Sequence, residues 1–423
     1  MSVARADSPK NPAPAGRVSV VHHDGVWWFQ DGAGRRFLST GVSCVRADSD
    51  SVMGTQEVPF LKAIKKTYGS VEAWRPIVAR QLQEMGFNTI GPWSDDAIAT
   101  AAPDAPMYRT PVLDLGHTYE RSDNPAGNWQ RGHFPDIFEP AFEQHVMDRV
   151  KALCASAAED PTVLGWFTDN ELRWGPDWRT AEPLLTTFLA RPPESAGRKA
   201  ATAFLKSRHA TVEALNQSWS TAFASWDEVR GPKPKRPPAM PKQNESPTTP
   251  ADGVFGQDCD AFAGSVAERY FSVTVGAIRV VDPGRLVLGC RFAYWPGDAV
   301  LAAAVRHTDV LGVNIYALDP TELLNRYAVS GRPILIGEFS VAAADSGLPN
   351  TKGAGPRVAT QADRAAALEK YVQLAASCPN VVGYHFFKHC DPPAAGRFDG
   401  ENTNYGLVRM DTTPYVEVSD AFR

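Results

Sequence analysis

Short runs of continuously apolar residues alternate with amphipathic stretches along most of this chain. The amphipathic stretches predict helices, for example at residues 71–85, which end at Gly86, and at residues 140–156. The apolar runs are too short for helices and predict buried strands. Eight of them are found, at residues 37–42, 87–90, 112–115, 163–167, 286–289, 310–313, 333–336 and 381–384.

This alternation predicts an α/β fold, because strands that are apolar on both faces belong to a parallel sheet that helices cover on both sides. Eight such strands fit most simply a closed (β/α)8 TIM barrel, preceded here by an N-terminal β-hairpin with its turn at Asp24-Gly25. A doubly wound open sheet is the alternative. It would require a glycine-rich nucleotide turn after the first strand, whereas Gly32-Ala33-Gly34 precedes that strand and predicts an ordinary turn.

The domain organisation follows from the same pattern. Residues 1–17 predict a flexible tail, and residues 18–423 predict a single catalytic domain. A long insertion after the fourth strand, about residues 173–284, contains helical sequence at 199–219 and a Pro/Lys-rich stretch at 231–241. That stretch predicts an extended surface loop, with a proline-rich ligand for a partner module as the alternative.

Charge and composition exclude several classes of partner. The net charge of -5 provides no basic field, so we expect no nucleic acid partner. No run of about 18 apolar residues occurs, so we expect no membrane span. The tail also lacks the apolar core of a signal peptide, which favours the cytoplasm unless a leader was removed. The sequence leaves the oligomeric state open.

The cysteines and histidines do not predict a metal site. The six cysteines are scattered without a C-x-x-C pair and predict free, mostly buried thiols. His385 and His389 flank a Cys, but on a strand they would stand about 13 Å apart at roughly 3.3 Å per residue. They could not share one ion, so we expect no metal.

Two of the predicted strands end in a glutamate, Glu171 after the fourth and Glu338 after the seventh. The carboxyl ends of barrel strands meet at one face, where reacting groups stand. A buried glutamate is costly unless it is paired or protonated, and a salt bridge is the structural explanation for either one alone. Two of them at one barrel mouth favour chemistry. Glycoside hydrolysis uses such a pair, one carboxyl as acid and the other as nucleophile or base.

Three sequence segments carry a resemblance to a known family. The pair Asn170-Glu171 and the later Glu338 resemble the signature of the retaining glycoside hydrolases of clan A, which are (β/α)8 barrels. Within that clan, residues 86–93 (GFNTIGPW), 164–171 (LGWFTDNE) and 399–406 (DGENTNYG) are similar to family 50 β-agarases and their uncharacterised relatives. The resemblance extends from about Val26 onward.

The resemblance implies roles for several residues. Glu171 would be the acid/base, Glu338 the nucleophile, Asn170 would bind the hydroxyl next to the anomeric carbon, and Tyr316 would contact the nucleophile. Strict strand alternation points Asn170 and Glu171 to opposite faces, so both can serve only if the strand end bulges or turns. From its place after strand five, Arg291 is a candidate cation beside Glu338, with a surface ion pair as the alternative.

Further residues are candidates for sugar binding. An indole can stack on a sugar ring, and two tryptophans follow predicted strands, although each could instead anchor a loop. Polar residues after strand eight could bind hydroxyls or cap a loop. Relatives often carry Trp where Phe386 stands, which leaves the usual stacking platform in doubt. The candidates are Trp93, Trp174, His385, Asp391, Glu401 and Asn404.

The sequence thus predicts a retaining β-glycoside hydrolase for galactose-type or related polysaccharides or oligosaccharides, working without metal or organic cofactor. Family 42 β-galactosidases of the same clan share the Asn-Glu pair and a helix like residues 215–219, but many carry a zinc-binding cysteine cluster that this chain lacks. Another clan A glycosidase or a transglycosylase is an alternative. A catalytically silent carbohydrate-binding barrel is an alternative from a different class.

Overall fold

A computed structural model describes residues 14–104, 106–120, 125–232, 253–293 and 295–423. Most of the predicted tail, and residues 233–241 of the Pro/Lys-rich stretch, lie outside this part of the chain. The strands are β1 (Ser19–His23), β2 (Val26–Gln30), β3 (Arg36–Phe37), β4 (Ser39–Val42), β5 (Thr89–Ile90), β6 (Tyr108–Arg109), β7 (Gly165–Trp166), β8 (Leu286–Val287), β9 (Leu311–Asn314), β10 (Ile334–Glu338), β11 (Ala342–Ala343), β12 (Arg357–Val358) and β13 (Val381–Phe386).

A small antiparallel sheet precedes the parallel strands. β1 and β2 pair as the predicted hairpin, and both turn residues, Asp24 and Gly25, have positive φ angles. β2 also pairs with β3, so this sheet has three strands in the order β1-β2-β3. Phe29 of β2 faces Phe37 of β3, and both are fully buried.

The main sheet is parallel and has the strand order β6-β5-β4-β13-β10-β9, and β7 and β8 form a separate parallel pair. Isolated parallel bridges join Arg109 in β6 to Val163 just before β7, and Phe292 after β8 to Val313 in β9. The predicted α/β fold with parallel strands is therefore confirmed.

The third predicted strand is displaced. We expected it at residues 112–115, but the ladder forms earlier, in β6. Pro111 has no N–H to donate to a ladder and separates β6 from the apolar residues that follow. Val112 makes an isolated bridge to Phe167, the N–H groups of Leu113 and Leu115 donate to the carbonyls of Phe167 and Thr168, and the chain turns after Leu115.

Helices pack around these strands. In α2, Ser70 caps the first turn by accepting a hydrogen bond from Ala73 N, and apolar residues at helical spacing, such as Trp74 and Val78, are buried. The helices are α1 (Pro59–Tyr68), α2 (Val71–Glu84), α3 (Ile98–Ala101), α4 (Pro125–Gln130), α5 (Pro140–Cys154), α6 (Leu184–Leu189), α7 (Ala196–Arg208), α8 (Val212–Trp219), α9 (Gly253–Val281), α10 (Asp298–His307), α11 (Thr321–Ala328) and α12 (Gln361–Ser377).

The segment between β7 and β8 contains α6 to α9, and the long α9 packs against α5 and α10. The fully buried Asp258 of α9 accepts hydrogen bonds from His209 Nε2 and Trp219 Nε1, both at 2.8 Å, which ties α8 to α9. All six cysteines are free and five are buried, as expected. None of the helices in the described part of the chain is both long and apolar enough to cross a lipid bilayer.

Candidate active site

A cavity of about 330 Å³ lies where the parallel strands end. Its walls include residues that directly follow β4, β5, β9 and β13, and the last residue of β10. Six of the eleven residues selected from the sequence line it: Trp93, Asn170, Glu171, Tyr316, Glu338 and Glu401. The carboxyl ends of the strands thus bring both glutamates to one cavity.

Left-handed backbone directs several side chains at this end of the sheet. The φ angle is 59° at Cys44, 58° at Trp93, 51° at Asp114, 53° at Glu171 and 53° at Arg291. Such angles are uncommon outside glycine and cost of order 1–3 kcal/mol each. All five residues follow parallel strands, and all except Arg291 line the cavity. A cluster of residues with strained backbone is typical of a functional site.

The positive φ angle at Glu171 also explains how Asn170 and Glu171 share the cavity. Consecutive residues of a regular strand point to opposite faces. Here β7 ends at Trp166, and the N–H of Glu171 donates to the carbonyls of Cys290 and Arg291, at 3.2 Å each. The chain has left the strand conformation, so both side chains line the cavity. The turn that the sequence required is present.

Glu171 is buried between two neutral donors. Asn314 Nδ2 donates to Oε1 and Trp129 Nε1 donates to Oε2, both at 2.9 Å. Burial and the nearby charge of Glu338 raise the pKa of Glu171 to about 7, although the two donors counteract the shift. The protonated form of Glu171 is therefore favoured more than in an ordinary glutamate.

Glu338 has a cation beside it. Arg291 Nη2 lies 2.9 Å from Oε1, and the Tyr316 hydroxyl donates to Oε2 at 2.6 Å. The guanidinium is fully buried and lies 4.9 Å from the ring centroid of Trp93. Burial raises the pKa of Glu338, and Arg291 and Tyr316 oppose that shift. Because no cation among the described residues contacts the Glu171 carboxyl directly, the negative charge of the pair is best stabilised on Glu338.

Trp174 does not line the cavity, as stacking on a bound sugar would require. It is 2% exposed and its ring stacks on Phe271 of α9, with 5.7 Å between the centroids. Phe134 packs edge-on against it. The prediction of a sugar contact is wrong, because the indole anchors its loop in the core.

Three polar residues near the end of the chain are also wrongly predicted to bind sugar, since they bond to protein groups. His385 Nε2 pairs with Ser39 Oγ at 2.8 Å inside the sheet. Asn404 Nδ2 donates to Asp391 Oδ1 at 3.0 Å, and the Tyr415 hydroxyl donates to Asp391 Oδ2 at 2.6 Å. All three residues are buried and outside the cavity lining. His385 ties β13 to β4, and Asp391 and Asn404 hold the loops that follow β13.

Several polar neighbours of the cavity were not selected from the sequence. Trp129 and Asn314 hold Glu171, and Arg397 Nη2 pairs with Glu401 Oε2 at 2.7 Å and with Asp399 Oδ2 at 2.9 Å. Asn314 is the last residue of β9, so the strand-end rule that selected the glutamates applies to it too. Trp129 lies on a short helix far from any strand end, and no comparable signal exists for it.

Among the described residues, one group could bring three metal ligands within 4.8 Å of one another: Asp114, His117 and Asp169. The carboxylate of Asp169, however, already accepts three hydrogen bonds. It accepts from the N–H of Gly116 at 2.7 Å, the N–H of His117 at 3.0 Å and the Tyr270 hydroxyl at 2.5 Å. Burial lowers the pKa of His117 to about 3, so its ring is neutral. These hydrogen bonds tie the group to the loop after β6.

Comparisons with known proteins identify relatives of this chain. The family model described as beta-galactosidase, glycoside hydrolase family 42, matches residues 100–309. Beta-agarase A of Vibrio sp. (strain JT0107) is 28% identical over 97% of this chain and 45% of its own length. Beta-agarase B of the same strain is 30% identical over 85% of this chain and 37% of its own length. The chain spans less than half the length of either relative.

A solved structure of an exo-beta-agarase superposes with a TM-score of 0.76 at 22% identity, covering 98% of this chain and 65% of the other. At this identity the likeness shows a shared fold. The two sequence relatives show that this chain is homologous to β-agarases over most of its length, and the solved structure shares its fold.

Proposed function

We propose that this chain is a retaining β-glycoside hydrolase for galactose-type polysaccharides or oligosaccharides. Glu171 is its acid/base and Glu338 its nucleophile. The sugar class rests on the names of the relatives, two beta-agarases and a beta-galactosidase family. The mechanism rests on the environments of Glu171 and Glu338 in the cavity.

The proposal includes a closed (β/α)8 barrel formed by one catalytic domain, residues 18–423, with residues 173–284 as an insertion. Six of its strands form one continuous parallel sheet, and β7 pairs with β8. The isolated bridges at Arg109–Val163 and Phe292–Val313 are the contacts that would close the circle. A barrel places all strand ends around one mouth, which is what catalysis by residues from distant strands requires.

The observation that carries the function is the unequal environment of two carboxyls in one cavity. Glu338 contacts a buried guanidinium, whereas the donors to the Glu171 carboxyl among the described residues, Asn314 and Trp129, are neutral. Asn314 lies opposite Glu338 in the β9–β10 ladder and reaches Glu171 with its amide. The two carboxyls therefore lie near enough for the charge of Glu338 to raise the pKa of Glu171, a closeness that supports retention over inversion.

The reaction then runs in two stages. Glu338 attacks the anomeric carbon, the glycosidic bond breaks, and Glu171 gives its proton to the leaving oxygen. Asn170 hydrogen-bonds the neighbouring hydroxyl. In the second stage Glu171 takes a proton from water, the water oxygen attacks the anomeric carbon, and Glu338 leaves as a carboxylate. Neither stage requires a cofactor.

The proposal is tested by reducing-end release from agarose, other galactans and chromogenic β-galactosides, with the anomer of the first product followed by ¹H NMR. We expect sugar release with the β-anomer formed first. An initial α-anomer would show inversion. Binding of these glycans without any release would favour a catalytically silent barrel.

Replacement of Arg291 by methionine is expected to raise the pKa of Glu338, because the carboxylate loses its cation. Since the nucleophile must be ionised, the acidic limb of the pH profile of kcat/KM should move to higher pH by about one to three units. R291K retains a charge and should shift less. An unchanged acidic limb in a folded R291M variant would show that Arg291 serves packing only.

Phe398 is the candidate platform for a sugar further along the substrate. Its ring is 49% exposed, lines the cavity and lies 5.3 Å from the Arg397 guanidinium. We expect F398A to lower kcat/KM on a polysaccharide about tenfold, because a stacking contact is lost. A glycosyl fluoride, which has no second sugar, should be cleaved almost as before. V416A removes an exposed side chain outside the cavity and serves as the control. Equal losses on both substrates would contradict a platform role.

A further inference from the structure

The indole of Trp129 reaches the cavity from a helix outside the sheet. It lies on α4, lines the cavity and donates from Nε1 to Glu171 Oε2 at 2.9 Å. An indole N–H can only donate. The Asn314 amide donates to the other oxygen, so each carboxyl oxygen has one lone pair engaged by an N–H. A proton on Glu171 must use one of the remaining positions.

Arg179 links the backbone of Trp129 to the backbone of Glu171. Its side chain is 2% exposed, and Nη1 donates to the Trp129 carbonyl at 3.0 Å while Nη2 donates to the Glu171 carbonyl at 2.8 Å. Asp177 pairs with the same guanidinium, with Nε to Oδ2 at 2.9 Å, and the ring of Trp178 lies 4.4 Å away. The planar fork of arginine suits such double bridging, which a lysine cannot reproduce.

We infer that Arg179 is a positioning residue that holds Trp129 against Glu171, and that the indole N–H tunes the protonation of the acid/base. This inference rests on the proposed function. The bridged carbonyls belong to segments 42 positions apart in the sequence, joined to each other through one buried side chain. A loop contact of this kind fixes the direction in which the carboxyl presents its proton.

The charged groups around Glu171 determine the sign of the effect. The Glu338 charge raises the pKa of Glu171, and the Arg179 guanidinium and the donors from Asn314 and Trp129 lower it. Loss of the indole N–H therefore leaves the carboxylate less stabilised and raises the pKa. The basic limb of kcat/KM, which reports deprotonation of the acid, then moves to higher pH.

The test is the pH profile of the W129F variant, which keeps a ring and removes the N–H. We expect the basic limb to move up by about one pH unit, as loss of a hydrogen bond to a charged group implies. Substrates with poor leaving groups should lose about tenfold in kcat/KM, and dinitrophenyl glycosides, which need little protonation, should lose less. W226F makes the same change outside the cavity and should leave the profile in place.

R179K is the second variant and carries the test if W129F does not fold. It should shift the basic limb in the same direction, because the fork that bridges the two carbonyls is lost. A fall in rate that is equal for both leaving groups, with the basic limb unmoved, would show a packing role and overturn the inference. Such a result leaves the proposed function intact as long as E338A abolishes turnover, so the two failures are distinguishable.

Discussion

Replacement of Glu338 by alanine is expected to lower kcat by at least about 10⁴-fold. The variant loses the carboxylate that Arg291 and Tyr316 contact, and this is the group proposed to attack the anomeric carbon. At about 1.36 kcal/mol per factor of ten, this corresponds to at least about 5.4 kcal/mol of lost transition-state stabilisation. The measurement is steady-state hydrolysis of an aryl β-glycoside with a good leaving group. A glutamate replaced on the exposed face of α11, E322A, is the matched control and should retain full activity.

Azide makes this variant informative beyond loss of rate. The small anion can enter the space that the carboxylate leaves and attack the β-glycoside from that side. The expected product is a glycosyl azide of α configuration, formed with partial recovery of turnover. Full activity of E338A without azide would remove Glu338 from the mechanism. A β-glycosyl azide would place the nucleophile elsewhere.

The two glutamates could be selected from the sequence because each interrupts an apolar pattern. Residues 333–336 and 163–167 are apolar throughout, and a carboxylate at or just after such a strand requires a physical reason. The same argument holds for the order of strands and helices, which follows from hydrophobic periodicity. Even so, the third strand begins earlier than predicted, at β6, and Pro111 interrupts its ladder, since a missing N–H changes a ladder without changing the apolar pattern.

Side-chain direction beyond the strand ends was not predictable in the same way. Glu171 and Arg291 both have left-handed backbone, which changes the direction of their side chains and which residue type alone does not indicate. His385 failed as a candidate for a related reason: β13 continues to Phe386, so this histidine is still inside the sheet. Trp174 failed because α9, more than ninety positions later, covers it with Phe271.

Trp129 cannot be selected by its position at a strand end. It approaches Glu171 through a helix in the loop after β6, and the buried Arg179 secures that approach from the opposite side. Neither residue is adjacent to a predicted strand end. Contacts that tune a catalytic group are set by loop packing, which depends on tertiary contacts more than on local pattern.

Replacement of Glu171 by alanine is expected to produce a different defect from that of E338A. Glycosides with poor leaving groups should lose about 10²–10⁴-fold in kcat/KM, because protonation of the leaving oxygen is lost, whereas dinitrophenyl glycosides should still form the glycosyl-enzyme. The second stage then becomes slow, so a burst of dinitrophenol should precede a slow steady state. The basic limb associated with the pKa of Glu171, which is about 7 in the intact protein, should disappear.

Azide again separates the roles, now with the opposite stereochemistry. In E171A the anion replaces water in the second stage and attacks the glycosyl-enzyme, so the product should be a β-glycosyl azide. An α-glycosyl azide from E171A, or an undiminished basic limb, would contradict the assignment. Because the two variants are expected to give azides of opposite configuration, the pair of experiments identifies which carboxyl attacks and which donates, independently of the environments described for Arg291 and Trp129.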